Sequence, residues 1–401
     1  MQIGLDRLSS LPGLVAELRA RRVGLLAHPA SVDGSLRHVS AVLASLGIAP
    51  KIVFGPEHGY GGEAQDMVGV DHATDPTTGA PIVSLYGARF DDLSPRAEHL
   101  AAIDVLLVDL ADVGSRYYTF IWTALLALRA CAARGVDVVV LDRPNPLGGE
   151  ARTAEGRLPR DRRFLSFVGL EPVPVRHGLT LGEIVALFAA REGLASSLRT
   201  VRATGLPREA LATAWNRPFV MTSPNMPTFD TALVYPGGCL LEGTNLSEGR
   251  GTTRPFEIVG APFVDGFRLA RDLAATGLPG FVARPITFQP TFHKHAGTIC
   301  GGVQIHPTDP ATFRPYATYL ALTALARRQA PDAFRFRTER YEYVDDIPAF
   351  DLLTGGDDAR HAILADAPLE EWIGREAEVD AAWSEAHAEA VALADRADVR
   401  G

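Results

Sequence analysis

The feature that most limits the fold of this chain is a series of short apolar runs, separated by helical patterns, in its first 150 residues. These runs are rich in Val, Ile and Leu and do not alternate with polar residues. A strand with one solvent-facing side alternates, whereas a continuously apolar strand is buried on both faces, as in a parallel sheet covered by helices. The predicted strands are residues 22–29, 51–57, 81–87, 104–112 and 136–144.

Helical spacing of apolar residues separates several of these runs. One predicted helix begins at Thr180 and has Glu183 three residues later, which is the pattern of a capping box. Strands and helices in this order predict an α/β fold: a Rossmann-like, doubly wound parallel sheet domain over residues 1–228. The predicted helices are residues 35–47, 119–135 and 180–193.

The rest of the chain is less regular and predicts a smaller α+β domain over residues 229–401. A stretch over 216–238 is rich in Pro, Asn and Ser, which is typical of a long ordered loop. We therefore place the domain boundary near residue 228. Two strands, a helix and a terminal amphipathic helix are predicted after it, over residues 286–292, 299–309, 312–329 and 369–395.

Charge and hydropathy exclude several classes of protein. The 401 residues include 39 basic and 48 acidic side chains, giving a formal net charge of −9, with no block of like charges. A protein that binds nucleic acid through phosphate contacts is normally basic, so no nucleic-acid partner is expected. The sequence shows neither a signal peptide nor a run of eighteen apolar residues, which predicts a cytoplasmic protein without a membrane span. These properties predict no particular oligomeric state.

The sequence gives little support for metal or redox chemistry. Cys131, Cys239 and Cys300 are too few and too scattered for a disulfide framework or a zinc site. The motif HKH at 293–295 would place two histidines on one face of a strand, yet no carboxylate lies close to it in sequence. We therefore predict an enzyme that uses no metal and no cofactor.

Polar residues collect after the predicted parallel strands, at the sheet edge where open α/β folds bind ligands. Glu57 and His58 follow the second strand in the segment GPEHG. Glu57 comes after a proline and before a glycine turn, so no helix needs it as a cap, and a structural role would require a specific partner. A catalytic role is therefore favoured for Glu57. Other residues at strand ends are His28, Asp109, Asp112, Arg116, Tyr117, Tyr118, Asp142, Arg143 and Asn145.

Structural alternatives apply to some of these positions. An aspartate after a strand often caps the next helix, so Asp109 or Asp112 is as well explained by capping as by catalysis. His28 is better explained as a hydrogen-bonded structural histidine than as a catalytic one.

A second polar segment lies in the second half, within residues 240–263. It packs polar side chains and three glycines into twelve positions and then leads into an apolar stretch. Such glycines let the backbone approach a ligand closely, which favours a ligand loop over a solvated surface loop. Its polar residues include Glu242, Asn245, Ser247, Glu248, Arg250, Thr252 and Thr253.

Five segments, in this order, resemble the signature stretches of the NamZ (YbbC-like) exo-β-N-acetylmuramidases: VFGPEHGYGG, DLADVGSRYYTF, VLDRPNPLGG, TSPNMPT and LEGTNLSEGRGTTRPFEIVGAPF. These peptidoglycan hexosaminidases remove N-acetylmuramic acid from non-reducing ends in cell-wall turnover. The resemblance extends from about residue 20 to the C-terminus. It implies a Rossmann-like domain, a smaller α+β domain and an active site between them, with Glu57 as the leading catalytic residue.

The implied chemistry requires two groups. Glycoside hydrolysis usually takes one carboxylic acid to protonate the leaving oxygen and a second carboxylate for water or the anomeric carbon. We expect Glu57 to be the acid and His58 to position Glu57 or a sugar hydroxyl. The substrate's own 2-acetamido group is an alternative to a second carboxylate acting directly. The candidates for the second carboxylate are Asp112, Asp142, Glu242 and Glu248.

Muramic acid also carries a lactyl carboxylate, for which a planar guanidinium is the natural partner. Arg116, Arg143 and Arg250 are the candidates, and Arg250 is favoured because glycines flank it. The expected ligand is a muramic-acid-terminated disaccharide or short glycan, and the alternative function is a non-catalytic protein that binds amino-sugar or wall-fragment ligands. The predicted catalytic residues are Glu57, His58, Asp112 and Glu248, and the predicted substrate-binding residues are His28, Arg116, Tyr118, Asp142, Arg143, Asn145, Asn225, Glu242, Asn245, Ser247, Arg250 and Thr252.

Overall fold

A computed structural model describes residues 1–62 and 73–400. Its largest sheet has seven strands in the order β3-β4-β2-β1-β5-β6-β7, and six of them run parallel while β3 is antiparallel at one edge. This confirms the predicted Rossmann-like parallel sheet. The strands are Val23–Ala27 (β1), Ile52–Gly55 (β2), Ala73–Thr74 (β3), Pro81–Ser84 (β4), Val105–Asp109 (β5), Asp137–Leu141 (β6) and Leu198–Val201 (β7).

Both faces of this sheet are covered, which explains the continuously apolar strands. Val105 and Leu107 belong to one buried apolar cluster, and the intervening Leu106 and Val108 belong to another. Successive side chains of a strand point to opposite faces, so each cluster fills one side of the sheet. Helices α1 to α3 contribute to the first cluster, and α5 and α6 to the second. The helices of this half are Gly4–Leu8 (α1), Pro12–Ala20 (α2), Val39–Ser45 (α3), Ala97–Leu100 (α4), Phe120–Ala132 (α5) and Leu181–Arg191 (α6).

The predicted capping box is confirmed at the start of α6. Thr180 Oγ1 accepts from Glu183 N at 3.2 Å, and Thr180 N donates to Glu183 Oε2 at 2.9 Å. The helix predicted over 35–47 begins later than expected, at Val39. Asp33 Oδ1 accepts hydrogen bonds from two main-chain amides of residues 35 and 37, and this turn delays the helix.

The second half contains a three-stranded antiparallel sheet in the order β8-β10-β9. Helices α7 and α8 contact this sheet, and α9 packs against both helices. The structure therefore has a smaller antiparallel α+β region after the parallel sheet, as the sequence predicts. Its elements are Phe229–Gly238 (α7), Ile258–Ala261 (β8), Gly266–Ala274 (α8), Phe281–Phe288 (β9), Cys300–Pro307 (β10), Pro315–Gln329 (α9), Ala349–Thr354 (α10), Asp358–Leu364 (α11), Leu369–Ala377 (α12) and Ala382–Ala397 (α13).

Three predictions for this half are wrong. The stretch 216–238 is not wholly a loop, because α7 occupies its end and begins at a Thr228 side-chain cap. Pro236 and the terminal glycines are unusual in a helix, so the sequence pattern indicates a loop. The segment nevertheless forms a helix, which is buried against α9. The helix predicted over 369–395 is interrupted between α12 and α13, where Glu378 has extended backbone. The HKH motif lies in a turn before β10, so its histidines do not share a strand face.

The end of the chain returns to the parallel sheet. Helix α13 packs against α6, and Val399 N donates to Thr200 O of β7 at 2.8 Å. The last residues therefore extend the edge of the sheet formed by the first half. Among the described residues, no helix is both long and apolar enough to cross a membrane.

Candidate active site

A strained turn holds Glu57 and His58 at the carboxyl edge of the parallel sheet. A Cβ atom on Gly55 would lie 2.4 Å from Tyr60 N, so only glycine lets the turn fold back against the end of β2. His58 has a φ angle of 70° and Gly59 one of 81°. A left-handed conformation is unfavourable for histidine, and such strain concentrates at functional sites. The turn therefore fixes the direction of both side chains.

Glu57 is only 6% exposed, and its Oε2 accepts a hydrogen bond of 2.8 Å from Thr119 Oγ1. Thr119 lies immediately before α5 in the connection that follows β5. Two connections from the same sheet edge therefore meet at this carboxyl group. This is the specific partner that a structural role would require, but Glu57 also faces a cleft.

Residues of both halves of the chain line this cleft, whose enclosed volume is about 40 Å³. The cleft is lined by residues that follow β2 and β5, by the segment before α7, and by the polar segment of the second half. The predicted site residues that line it are Glu57, His58, Tyr118, Asn225, Glu242 and Arg250.

Glu242 and Arg250 form a hydrogen-bonded pair in the wall of the cleft. Arg250 Nη2 donates to Glu242 Oε1 at 2.7 Å, and the Tyr341 hydroxyl donates to Glu242 Oε2 at 2.7 Å. The Arg250 guanidinium also lies over the ring of Phe256, 5.3 Å from its centroid. These contacts hold a cation and a carboxylate at the surface of the cleft.

Glu248 supports this pair from behind and does not line the cleft. Its side chain is fully buried, with Oε2 at 2.9 Å from Lys294 Nζ and Oε1 at 3.1 Å from His293 Nδ1 and 3.2 Å from Arg250 Nε. Burial alone would raise the pKa of Glu248, but Lys294, His293 and Arg250 together hold that pKa far below its usual range. Glu248 is therefore a buried anion that orients Arg250. The sequence predicts a catalytic role for Glu248, but its side chain does not line the cleft.

The other two candidate arginines lie away from the cleft. Arg116 is fully buried and donates to main-chain carbonyls, including those of Val173 at 3.0 Å and Leu353 at 2.7 Å. Arg143 makes a two-point contact with Asp109, at 2.5 and 2.9 Å. Both guanidinium groups thus connect elements of the structure, and Asp109 is engaged as the partner of Arg143.

Asp112 and Asp142 are likewise used within the fold. Asp112 accepts from a main-chain amide of its own loop and lies 3.4 Å from His177 Nε2. Asp142 accepts from Thr180 Oγ1 at 2.6 Å and Gly182 N at 2.9 Å, at the start of α6. Burial, followed by the charge of Glu183, raises the pKa of Asp142 to about 6. Of the four candidates for a second carboxylate, Glu242 is the one in the cleft.

His28 and Asn145 also hold the sheet edge together. Ala111 N donates to His28 Nε2 at 3.0 Å, and burial lowers the pKa of His28 well below its usual value. Asn145 donates to Leu179 O at 2.9 Å and accepts from Leu147 N at 2.8 Å. His28 is therefore a hydrogen-bonded structural histidine in this geometry, and Asn145 likewise connects main-chain segments of the fold.

Three residues of the predicted ligand loop shape its backbone. Asn245 donates to Ala333 O at 2.9 Å, which ties the loop to the segment after α9. Gly249 N donates to Ser247 Oγ at 3.2 Å, and Thr252 Oγ1 donates to Gly249 O at 2.6 Å. These bonds stabilise the turns that carry Glu242 and Arg250, so the three side chains are placed behind the cleft.

The buried tyrosines of the cleft remain neutral donors. Burial raises the pKa of Tyr117, Tyr118 and Tyr235 above the usual value for a phenol. The Tyr118 hydroxyl donates to Thr222 Oγ1 at 2.7 Å, which connects the loop after β5 to the segment before α7. These rings provide an apolar wall, in which the hydroxyl of Tyr118 is fixed by its hydrogen bond.

Sequence reasoning missed Tyr341 and Glu342, which line the cleft from the segment RYEYVDD. The segment shows neither strand alternation nor helical spacing, and two tyrosines flank a single glutamate. That glutamate between aromatic residues was the available signal. Among the described residues, no group of three or more His, Cys, Asp or Glu side chains is arranged to hold a metal ion.

A buried glutamate, further carboxylates and an arginine in one α/β cleft are the groups that a glycoside hydrolase acting on an acidic sugar requires. Models of the N-terminal and C-terminal domains of exo-β-N-acetylmuramidase NamZ match residues 23–230 and 233–391. The chain belongs to this family.

One curated relative agrees with this assignment, and two solved structures share the fold. The chain is 41% identical over 337 residues to the peptidoglycan β-N-acetylmuramidase NamZ of Bacillus subtilis, covering 84% of this chain and 80% of that relative. A DUF1343 family protein from Bacteroides fragilis shares the fold with a TM-score of 0.83 and 27% identity, over 100% of this chain and 99% of the other. A second protein of that family and organism has a TM-score of 0.72 at 24% identity, over 99% and 98%.

Proposed function

We propose that this protein is an exo-acting glycosidase that removes N-acetylmuramic acid from the non-reducing end of peptidoglycan fragments in cell-wall turnover. The observation that carries the proposal is the position of Glu57, buried at a sheet edge and facing a cleft that contains Arg250, in a chain of the NamZ family. The exo-acting mode follows the family, whose models describe an exo-β-N-acetylmuramidase.

Glu57 acts in this proposal as the general acid. Its carboxyl group gives a proton to the glycosidic oxygen while the bond from that oxygen to the anomeric carbon breaks. The hydrogen bond from Thr119 fixes the other carboxyl oxygen, so that the carboxyl group keeps one orientation. His58, on the same strained turn, is placed to hold a hydroxyl of the terminal sugar or Glu57 itself.

Arg250 provides recognition of the lactyl carboxylate. Of the three arginines that the sequence offered, it is the one that lines the cleft. Glu242 and Glu248 fix its orientation before substrate arrives, which lowers the ordering cost of binding. A sugar without the lactyl group would lose a charge-assisted hydrogen bond, which is worth about 1.5–3 kcal/mol.

The alternative is a protein that binds wall fragments without cleaving them. Membership in a family of exo-β-N-acetylmuramidases favours the enzyme. A disaccharide with a terminal N-acetylmuramic acid distinguishes the two functions, since an enzyme releases the free sugar and a binding protein does not. Binding without release of N-acetylmuramic acid would contradict the proposal.

Selectivity tests the role of Arg250 in the same assay. We expect the wild type to prefer a muramic-acid end over an N-acetylglucosamine end by about tenfold to hundredfold in kcat/KM, because of the lost charge-assisted bond. Arg250→Ala should slow the muramic substrate and narrow this preference. The preference is a ratio within one preparation, so it does not depend on the amount of folded protein.

Arg254→Ala is the matched control, because Arg254 lies in the same segment but outside the cleft, with a side chain 43% exposed. An unchanged preference in Arg250→Ala, or equal cleavage of both sugars by the wild type, would remove lactyl recognition from the proposal.

A further inference from the structure

A short hairpin brings Glu342 into the cleft from the second half of the chain. Tyr341 and Val344 exchange two main-chain hydrogen bonds of 3.0 Å, with Glu342 and Tyr343 as the two central residues between them. Glu342 is 4% exposed and lines the cleft together with Glu57.

The conformation of this hairpin is unfavourable for the residues that form it. Glu342 and Tyr343 have φ angles of 44° and 70°, so both central positions are left-handed. Two-residue turns of this type normally use Asn or Gly, which tolerate a positive φ. The sequence instead places a long acidic and a bulky aromatic side chain there. Strain of this kind persists where the surrounding structure fixes it and is concentrated at functional sites.

Tyr343 is what holds the hairpin in place. Its hydroxyl donates to Gly87 O at 3.0 Å, in the segment that follows β4. Its ring lies 6.1 Å from that of Tyr86 and 6.2 Å from that of Phe167, centroid to centroid. The hairpin therefore crosses from the second half of the chain to the first and is anchored there, which fixes the adjacent Glu342.

Glu342 and Glu57 lie near the same ring. Burial raises the pKa of the Tyr343 phenol, and the negative charges of Glu342 and Glu57 raise it further. Both carboxylates are thus close enough to Tyr343 to affect the pKa of its phenol. Together with the lining of the cleft, this places the two carboxyl groups about one common space.

Glu242, which also lines the cleft among the described residues, has a different role. Both oxygens of Glu242 are engaged, one by Arg250 and one by Tyr341. A carboxylate bound at both oxygens in this way orients its partners, and taking up a proton would break its ion pair with Arg250. Glu248, Asp112 and Asp142 do not line the cleft.

We propose that Glu342 is the second catalytic carboxylate, which deprotonates the water that attacks the anomeric carbon. This inference depends on the proposed glycosidase function. In the step, Glu57 gives its proton to the leaving oxygen as the glycosidic bond breaks. The oxygen of water forms the new bond to the anomeric carbon, and a proton of that water passes to Glu342. Exchange with solvent then restores the proton on Glu57 and removes the one on Glu342.

Two substrates separate this role from that of the acid. A 4-nitrophenyl muramide needs little protonation of its leaving group, whereas the disaccharide needs full protonation. Water must be activated for both. Glu342→Gln should therefore lower kcat by about 10²–10⁴-fold on both substrates. Glu57→Gln should be strongly impaired on the disaccharide alone.

Azide adds a readout that a structural role would not give. In Glu342→Gln, a small anion that needs no deprotonation can replace water, so azide should restore turnover of the nitrophenyl substrate and produce a glycosyl azide with inverted configuration. Glu339→Gln is the matched control, since Glu339 is exposed and lies three residues earlier. It should keep wild-type activity without azide.

The outcomes are distinguishable. If the wild type cleaves neither substrate, the proposed function fails and this inference fails with it. If the wild type is active and Glu342→Gln keeps more than a tenth of its kcat, the inference alone is overturned. The same holds if Glu342→Gln loses activity, still binds free N-acetylmuramic acid and gains nothing from azide. Should Glu342→Gln not fold, Glu342→Ala with azide applies the same criteria.

Discussion

At the residue scale, three glutamates from the described part of the chain line the cleft, and their surroundings differ. Glu57 receives one hydrogen bond from a threonine hydroxyl, and Glu242 is bound at both oxygens by Arg250 and Tyr341. Glu342 is carried by a strained hairpin turn. Residues of one chemical type therefore differ in what they can do, because acid catalysis needs a proton that can leave, whereas a fixed ion pair needs a permanent charge.

Glu57→Gln tests the acid directly. The amide keeps the size of the side chain and can still accept from Thr119, but it has no proton to donate to the leaving oxygen. We expect kcat on the muramic-acid disaccharide to fall by about 10²–10⁴-fold with an unchanged melting temperature. Glu98→Gln, at an exposed glutamate of α4, is the control and should be fully active. A loss smaller than tenfold on the disaccharide would exclude Glu57 as the acid.

At the element scale, the turn before β10 supports the loop that carries Glu242 and Arg250. Lys294 Nζ donates to Leu241 O at 2.7 Å, Leu246 O at 3.2 Å and Glu248 Oε2 at 2.9 Å. One ammonium group thus fixes two main-chain positions of the loop and the buried anion behind Arg250. The sequence has only one other lysine, Lys51, among 39 basic residues.

Lys294→Met should show that this loop is also a structural support. The variant keeps the length of the side chain but leaves Glu248 with His293 and Arg250 alone. We expect the free energy of unfolding to fall by about 1.5–3 kcal/mol, since hydrogen bonds to a buried charged group are lost. Turnover should fall as well, because Glu248 and the loop backbone that orient Arg250 are less firmly fixed. Urea unfolding and kcat/KM measure the two effects.

Lys51→Met is the matched control for that experiment. Lys51 is exposed at the start of β2, and its replacement removes the same charge without a buried partner. If Lys294→Met unfolds at the same urea concentration as Lys51→Met, the turn does not support the loop.

The contrast between Glu57 and Lys294 shows what the sequence could predict. Glu57 follows a strand in a Gly-rich turn, so the rule for open α/β sheets was enough to place it at the ligand edge. Lys294 contacts residues 46 or more positions earlier, and the hairpin that carries Glu342 is held by the contact of Tyr343 with Gly87. No local sequence pattern predicts such contacts. Helix α7 was missed for a similar reason: its one proline and its glycines indicate a loop, but the segment is helical because it is buried against α9.

At the scale of the whole molecule, the end of the chain is joined to its beginning by a buried charge network. Glu183 of α6 accepts from Arg202 and Arg208, each at 2.5 Å. Arg202 also contacts Asp395 of α13. Asp142, at the end of β6, lies beside this network and is next to Glu183. The parallel sheet, α6 and the returning helix α13 thus share one electrostatic unit, so its protonation affects the stability of the entire fold.

Asp142 makes this stability depend on pH. Burial and the charge of Glu183 raise its pKa from 3.8 in the unfolded chain to about 6 in the folded protein. The folded state therefore binds the proton more tightly than the unfolded state. Its stabilising contribution is complete below pH 3.8 and is lost as pH rises through 6, a total of about 3 kcal/mol. About 2 kcal/mol of this lies between pH 4.5 and 7.5.

Asp142→Asn removes this titration while its Oδ1 can still accept from Gly182 N. The advantage of the wild type over Asp142→Asn in free energy of unfolding should therefore shrink by about 2 kcal/mol between pH 4.5 and 7.5. Urea unfolding at both pH values measures it, because groups common to both proteins cancel. Asp332→Asn, at an exposed carboxylate, reports the general effect of removing one negative charge. An advantage that is constant with pH, or that grows as pH rises, would show that Asp142 is ionised as readily in the folded protein as in the unfolded chain.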